Sequence, residues 1–174
     1  FVDVCRSEDK KSAQLACGVS TLYAGPGANV EYHYVQNWNE TSLSFNQLTT
    51  IAQRDATIRA FGLNIGSKHA RNEGHTVLDG PGANAQLMSL AVTHEDQEID
   101  QRTLQSHNAP NAHSDLLFKN ALWDNSKTIF SGLIKVDEEA QQTDAYQINR
   151  NLLLSPAAEA NSLPGLEIMA NDVK

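Results

Sequence analysis

Residues 128–174 read TIFSGLIKVDEEAQQTDAYQINRNLLLSPAAEANSLPGLEIMANDVK, three extended runs joined by polar corners. Phe130, Ile134 and Val136 alternate with Ser131 and Lys135, the period of two that marks a strand with one buried face. Asp137-Glu138-Glu139 makes a corner, and a second run extends from Thr143 to Leu154. Ser155-Pro156 turns the chain again, because proline fixes φ and cannot donate to a central ladder. A third run carries Leu163, Leu166, Ile168 and Met169 up to Asn171-Asp172. No stripe of period 3.6 is long enough for a core helix, so the region is β.

The same rhythm runs back to the start. Turn-forming clusters fall at Gly25-Pro26-Gly27, Asn37 to Asn39, Arg54-Asp55, Gly66-Ser67, Gly80-Pro81-Gly82, Glu95-Asp96, Ala109-Pro110-Asn111 and Asp124-Asn125-Ser126. Their spacing is mostly about 14 residues. The pentapeptide Gly-Pro-Gly-Ala-Asn occurs twice, at residues 25–29 and 80–84, with Arg54-Asp55-Ala56 almost midway. A small residue follows the corner at Ala28, Ala56 and Ala83 and, less regularly, at Ala140 and Ala158. This is a degenerate repeat of about 27 or 28 residues with two arms each, the mark of a quasi-one-dimensional stack.

An antiparallel meander or sandwich would need reversing hairpin turns at closer spacing. The only hairpin dipeptide of the Asn-Gly or Asp-Gly type is Asp79-Gly80. Small residues at equivalent corners suit coils that bend and stack. The expected fold is therefore all-β: one domain over residues 1–174, a right-handed parallel β-helix (β-solenoid), with its hand taken from the crossover rule. Val30, Tyr32 and Tyr34 alternate, as do Phe61, Leu63 and Ile65. The denser run Leu87, Met88, Leu90 and Val92 predicts an arm covered on both faces. Leu116 to Trp123 fits either a helical turn or a further arm.

With 174 residues and 40% hydrophobic content, the chain is able to close one core. A net charge of −8 without clustered Lys or Arg argues against nucleic acid and anionic membranes as partners. No apolar run approaches the length of a membrane span. No signal peptide is seen, and a chain opening at Phe1 reads as a fragment. Two cysteines, Cys5 and Cys17, are too few for a disulfide-stapled secreted domain. They read as small buried or partly buried thiols in a reducing cytosol, and alone they do not complete a zinc site.

His94, Glu95, Asp96, Glu98 and Asp100 offer oxygen ligands for a hard cation, but they sit at a corner and read as solvated charge. His107 and His113 flank Pro110-Asn111 and would need another ligand to hold zinc; surface hydrogen bonding is the preferred reading, as for His69 and His75. No Gly-x-Ser-x-Gly elbow and no phosphate-cradling loop is present. Asn149 and Arg150 read as interior polar residues linking coils. By its chemistry the chain is a scaffold and not an enzyme.

Gln142-Thr143-Asp144-Ala145-Tyr146-Gln147, followed by Asn149-Arg150-Asn151-Leu152-Leu153-Leu154-Ser155, closely resembles the signature of the SufB/SufD family of iron–sulfur cluster assembly proteins. Leu166-Glu167-Ile168 and Asn171-Asp172-Val173-Lys174 match it as well. Asp96-Gln97, His107, Pro110, Ser114, Phe118-Lys119, Ser131-Gly132 and Lys135-Val136 look like the family's middle block. The Thr-Asp-Ala-Tyr-Gln form is similar to the SufD branch.

That resemblance implies a parallel β-helix core from which the family's N- and C-terminal helical parts are absent. It also implies a non-enzymatic subunit that pairs with a SufB-like protein and binds the SufC-like ATPase, whose movement rearranges the shared interface. SufD-type subunits are associated with iron entry, and the iron–sulfur cluster is assembled on the full complex. The family's Cys-x-His-Gly motif lies beyond Lys174, so no cluster ligand, cofactor or metal site is assigned here. Glu98 and Gln101 depart from expected histidines.

The expected partner interface is Leu166, Glu167, Ile168, Asn171, Asp172, Val173 and Lys174, a β arm able to extend a partner's sheet. Open ends also predict pairing with a second copy. The implied location is the cytoplasm, or the plastid for a photosynthetic eukaryote. The alternatives are a secreted carbohydrate-active solenoid and a purely structural or adhesive one.

Overall fold

In the computed structural model, which describes residues 1–8 and 11–174, the alternation read from the sequence becomes twelve strands. They are β1 (Val2–Arg6), β2 (Leu15–Ala24), β3 (Asn29–Asn37), β4 (Leu43–Ala52), β5 (Thr57–Asn64) and β6 (His69–Leu78). The second half supplies β7 (Asn84–Thr93), β8 (Glu98–His107), β9 (His113–Leu122), β10 (Lys127–Val136), β11 (Asp144–Leu153) and β12 (Glu159–Ile168). Odd strands form one six-stranded sheet and even strands the other, each in sequence order and each wholly parallel. Consecutive strands thus alternate between facing sheets, and the chain is a single-domain β-solenoid. No helix occurs among the described residues, so none is long and apolar enough to cross a membrane.

Successive coils are 26 residues apart from Leu43 to His69 but 32 apart from Lys127 to Glu159. The repeat is looser than its sequence spacing indicates because corners absorb insertions without disturbing strand register. The corners joining even to odd strands show how. Gly27, Asp55, Gly82, Asn111 and Gln142 all adopt positive φ. Their N–H groups donate to Arg54, Pro81, Pro110, Gln141 and Asp172 carbonyls at 2.7–3.1 Å, a ladder running along the solenoid. Aspartate and asparagine tolerate this left-handed conformation better than most residues.

Each left-handed residue is followed by one that turns inward: Ala28, Ala56, Ala83, Ala112 and Thr143. Ala140 therefore does not occupy the repeat position that its spacing suggests. Thr143 does, and Ala140 packs instead with Ile134, Val136 and Ala170. In the second Gly-Pro-Gly corner, Gly82 has φ +72°, while a Cβ on Gly80 would collide with the backbone of Gln53 and Arg54.

Inside, the two sheets interdigitate. Ile58, Leu78, Ile99, Leu116, Leu122 and Phe130 are buried, and Phe118 meets Phe130 edge-on at 5.6 Å. Polar residues share the same inward rows: Thr50 donates to Thr76 across neighbouring coils at 2.9 Å, and Gln36 bonds Ser44, Ser67 and the Gly66 carbonyl. The Leu87–Val92 run is covered on one face only, and Met88 points outward and is 43% exposed. A solenoid sheet packs against its partner sheet inside and meets solvent outside. Leu116 to Leu122 continues the coil as strand β9.

Candidate partner interface

The last coil shows why Leu166 and Ile168 are distinct. Leu166 extends the inward row of Ile134, and Ile168 that of Val136. Ile134 is 3% and Val136 0% exposed, whereas Leu166 is 64% and Ile168 44% exposed. Equivalent apolar side chains differ only in whether another coil lies over them. Leu153 stands in the same relation to buried Leu122. β11 and β12 each leave one ladder edge unpaired over most of their length. Pro164, which has no N–H to donate, sits in the edge strand β12 where its loss is tolerated.

Glu167 faces outward over Lys135. Past β12, Met169 donates to the Val136 carbonyl at 2.9 Å and Ala170 turns into the core. Asn171 and Asp172 N–H groups both donate to Gln141 Oε1, at 3.2 and 3.1 Å. Val173 then bridges Thr143 in parallel, and Lys174 N–H donates to the Thr143 carbonyl at 2.9 Å. The predicted interface residues are thus one continuous element in two parts. Leu166 and Ile168 sit on the uncovered end face, while Asn171, Asp172, Val173 and Lys174 begin a further coil alongside β11.

The other candidates separate. His94 pairs with Glu40 at 3.3 Å, Asp96 accepts from Asn125, and Asp100 lies between Arg71 and Arg102. His107 points inward and His113 pairs with Asp144 at 3.4 Å. His75 shares a contact with the Ser106 hydroxyl at 3.1 Å, and burial holds its pKa below the usual imidazole value. Among the described residues no group of three or more His, Cys, Asp or Glu is placed to hold a metal ion. Cys5 is half-buried beside Asp3, and burial, then the Asp3 charge, raises its pKa. Cys17 is not buried: it lies on the exposed outer face of β2. Asn149 does not link coils: it accepts from Asn151 and Ser162, at 2.7 Å each, within the last coil, and Arg150 faces solvent. The β11 pleat sends adjacent residues to opposite faces.

One surface escaped the sequence reading. Leu15, Val19 and Tyr23 are 68%, 78% and 63% exposed on the outer face of β2, beside Phe45 of β4. Farther along, the same outer face carries Arg71, Glu73, Asp100 and Arg102. The signal was the alternation Leu15, Cys17, Val19, Thr21, Tyr23; its direction required the register.

Comparison with known proteins places this solenoid. The family model described as "SUF system FeS cluster assembly, SufBD core domain" matches residues 1–174. The iron–sulfur cluster assembly protein SufD of Escherichia coli is 30% identical over 154 residues, covering 88% of this chain and 36% of that protein. A SufBD family protein of Synechocystis is 31% identical over 158 residues, covering 90% of this chain and 34% of its own length. One from Mycobacterium leprae is 26% identical over 147 residues, 80% of this chain and 38% of that protein. The chain thus spans little more than a third of the curated relatives it matches. A match over its whole length, on a fold with this register, establishes that the chain belongs to the SufBD family of iron–sulfur cluster assembly proteins.

Proposed function

We propose that this chain is the solenoid core of a SufD-like, non-enzymatic scaffold subunit of the SUF assembly machine. It pairs with a SufB-like subunit, works with a SufC-like ATPase in the cytoplasm, and serves iron entry and cluster assembly at the shared interface. The iron–sulfur cluster is cargo of the complex, and no ligand to it is assigned to this chain.

The observation that carries the reading is the match of the SufBD core-domain model over residues 1–174 on a wholly parallel solenoid. Leu166 and Ile168 continue the buried rows of Ile134 and Val136, so a partner's strand added at this end of the solenoid would extend those rows. Without a SufB-like subunit, the same end serves a second copy of the chain, and light scattering on the eluted complete protein would then report a dimer.

Co-expression of the complete protein with SufB-like and SufC-like subunits from the same organism tests the proposal. The expected result is a co-eluting complex of all three. Failure to associate with either subunit discards the reading. No separate observation favours a carbohydrate-active solenoid: of the acidic residues its site would use, Asp100 is held between Arg71 and Arg102 and Asp96 accepts from Asn125.

A further inference from the structure

Two inward-facing glycines thin the solenoid interior at its middle. Gly62 of β5 lies in the row of Tyr34 and Ser89, and Gly74 of β6 in the row of Leu48 and Thr103. A Cβ at either would meet nothing nearer than 3.7 Å. Between the sheets this leaves a cavity of about 100 Å³, with Leu48, Leu87 and Tyr34 among its apolar walls.

One side of the cavity is polar. Ser89 Oγ accepts from Asn64 Nδ2 at 3.3 Å and from Gln101 Nε2 at 3.1 Å, which leaves its own hydroxyl proton free to donate. Gln101, 1% exposed, has no partner for Oε1, and Thr103 has none for Oγ1. Both residues line the cavity. A free donor and unpartnered acceptors on residues that line one space call for a small molecule that both donates and accepts. The charged neighbours Glu73 and Arg102 pair with Arg71 and Asp100 on the outer face, so the complementary ligand is neutral.

We propose that this cavity is a hydration site, in which a small cluster of water molecules bridges Ser89, Gln101 and Thr103. The volume is several times the roughly 10–15 Å³ that a single water requires. The site rests on the coil interior alone and is independent of any partner.

The test is a high-resolution crystal structure of the complete protein, with a second crystal pressurised with xenon. The expected result is ordered water within hydrogen-bond distance of Ser89 Oγ and Gln101 Oε1, with xenon excluded. Xenon in the wild-type cavity, or a cavity without water density, overturns the proposal, since a dry apolar void takes xenon. A Gln101→Leu, Thr103→Val double variant is expected to lose the water and admit xenon. If that variant folds and still excludes xenon, the assignment of these two side chains fails. If it does not fold, the wild-type crystals decide.

Discussion

His107 Nε2 lies 2.8 Å from the Ser114 hydroxyl across the corner joining β8 to β9, and both residues are fully buried. Desolvation, and secondarily the nearby His113, lowers the His107 pKa to about 4. The imidazole is therefore neutral at physiological pH and acts as a core hydrogen-bonding group.

That shift predicts a pH dependence of stability. The unfolded chain takes up this proton near pH 6.5, whereas the folded protein resists it until about pH 4. Stability from this residue is thus complete above pH 6.5 and is lost as pH falls from there towards 4. The full effect is on the order of 3 kcal/mol. Urea midpoints across this range should fall more steeply for wild type than for His107→Gln. Equal slopes would show that His107 does not carry the effect.

Identical pentapeptides should respond unequally to substitution. A Cβ on Gly80 strikes the backbone of Gln53 and Arg54, whereas Gly25 has no atom within 4 Å of the equivalent point. Gly80→Ala is expected to destabilise by more than about 2 kcal/mol and Gly25→Ala to stay within about 0.5 kcal/mol of wild type. Thermal melts of the two variants decide this, and similar melting temperatures would contradict the stacked-corner geometry.

Thr50 and Thr76 satisfy each other in adjacent coils, and both are buried. Thr76→Val should cost about 1–3 kcal/mol by stranding the Thr50 hydroxyl, and adding Thr50→Val should recover much of the loss. A double-mutant cycle in urea measures the coupling. Additive losses would mean that the bond contributes nothing of its own.

On β12, Leu166→Asp and Ile168→Asp interrupt the continuation of the inward rows of Ile134 and Val136 and test the proposed interface in the complete protein. Each should weaken binding of a SufB-like subunit at least tenfold, about 1.4 kcal/mol, if the end face is the interface. Met88→Asp, on the exposed outer face of β7, serves as a control. Calorimetric titration reads all three, and an unchanged affinity for the end-face variants would remove Leu166 and Ile168 from the interface.

Much of the architecture was legible in the chain because its causes are local. Alternation of Phe130, Ile134 and Val136 with polar residues specifies a strand with one buried face, and Gly82, Asp55 and Asn111 mark corners through their tolerance of positive φ. Those signals recur once per coil, at spacings of 26 to 32 residues, so stacking follows from them. The proposed partner interface was legible only as a segment. Sequence cannot tell Leu166 from Ile134, since both are apolar residues on the inward side of a strand.

The residues alone determined a parallel β-solenoid and, through their resemblance, membership in the SufBD family. Tertiary structure decided the rest. It showed which side chains share each inward row, that Thr143 and not Ala140 fills the fifth corner, that Arg150 faces outward, and that His107 is sealed against Ser114. The physical reason is that strand formation and turning depend on neighbours within a few positions. Burial and hydrogen-bond satisfaction instead depend on what lies one coil away, here 26 to 32 residues along the chain.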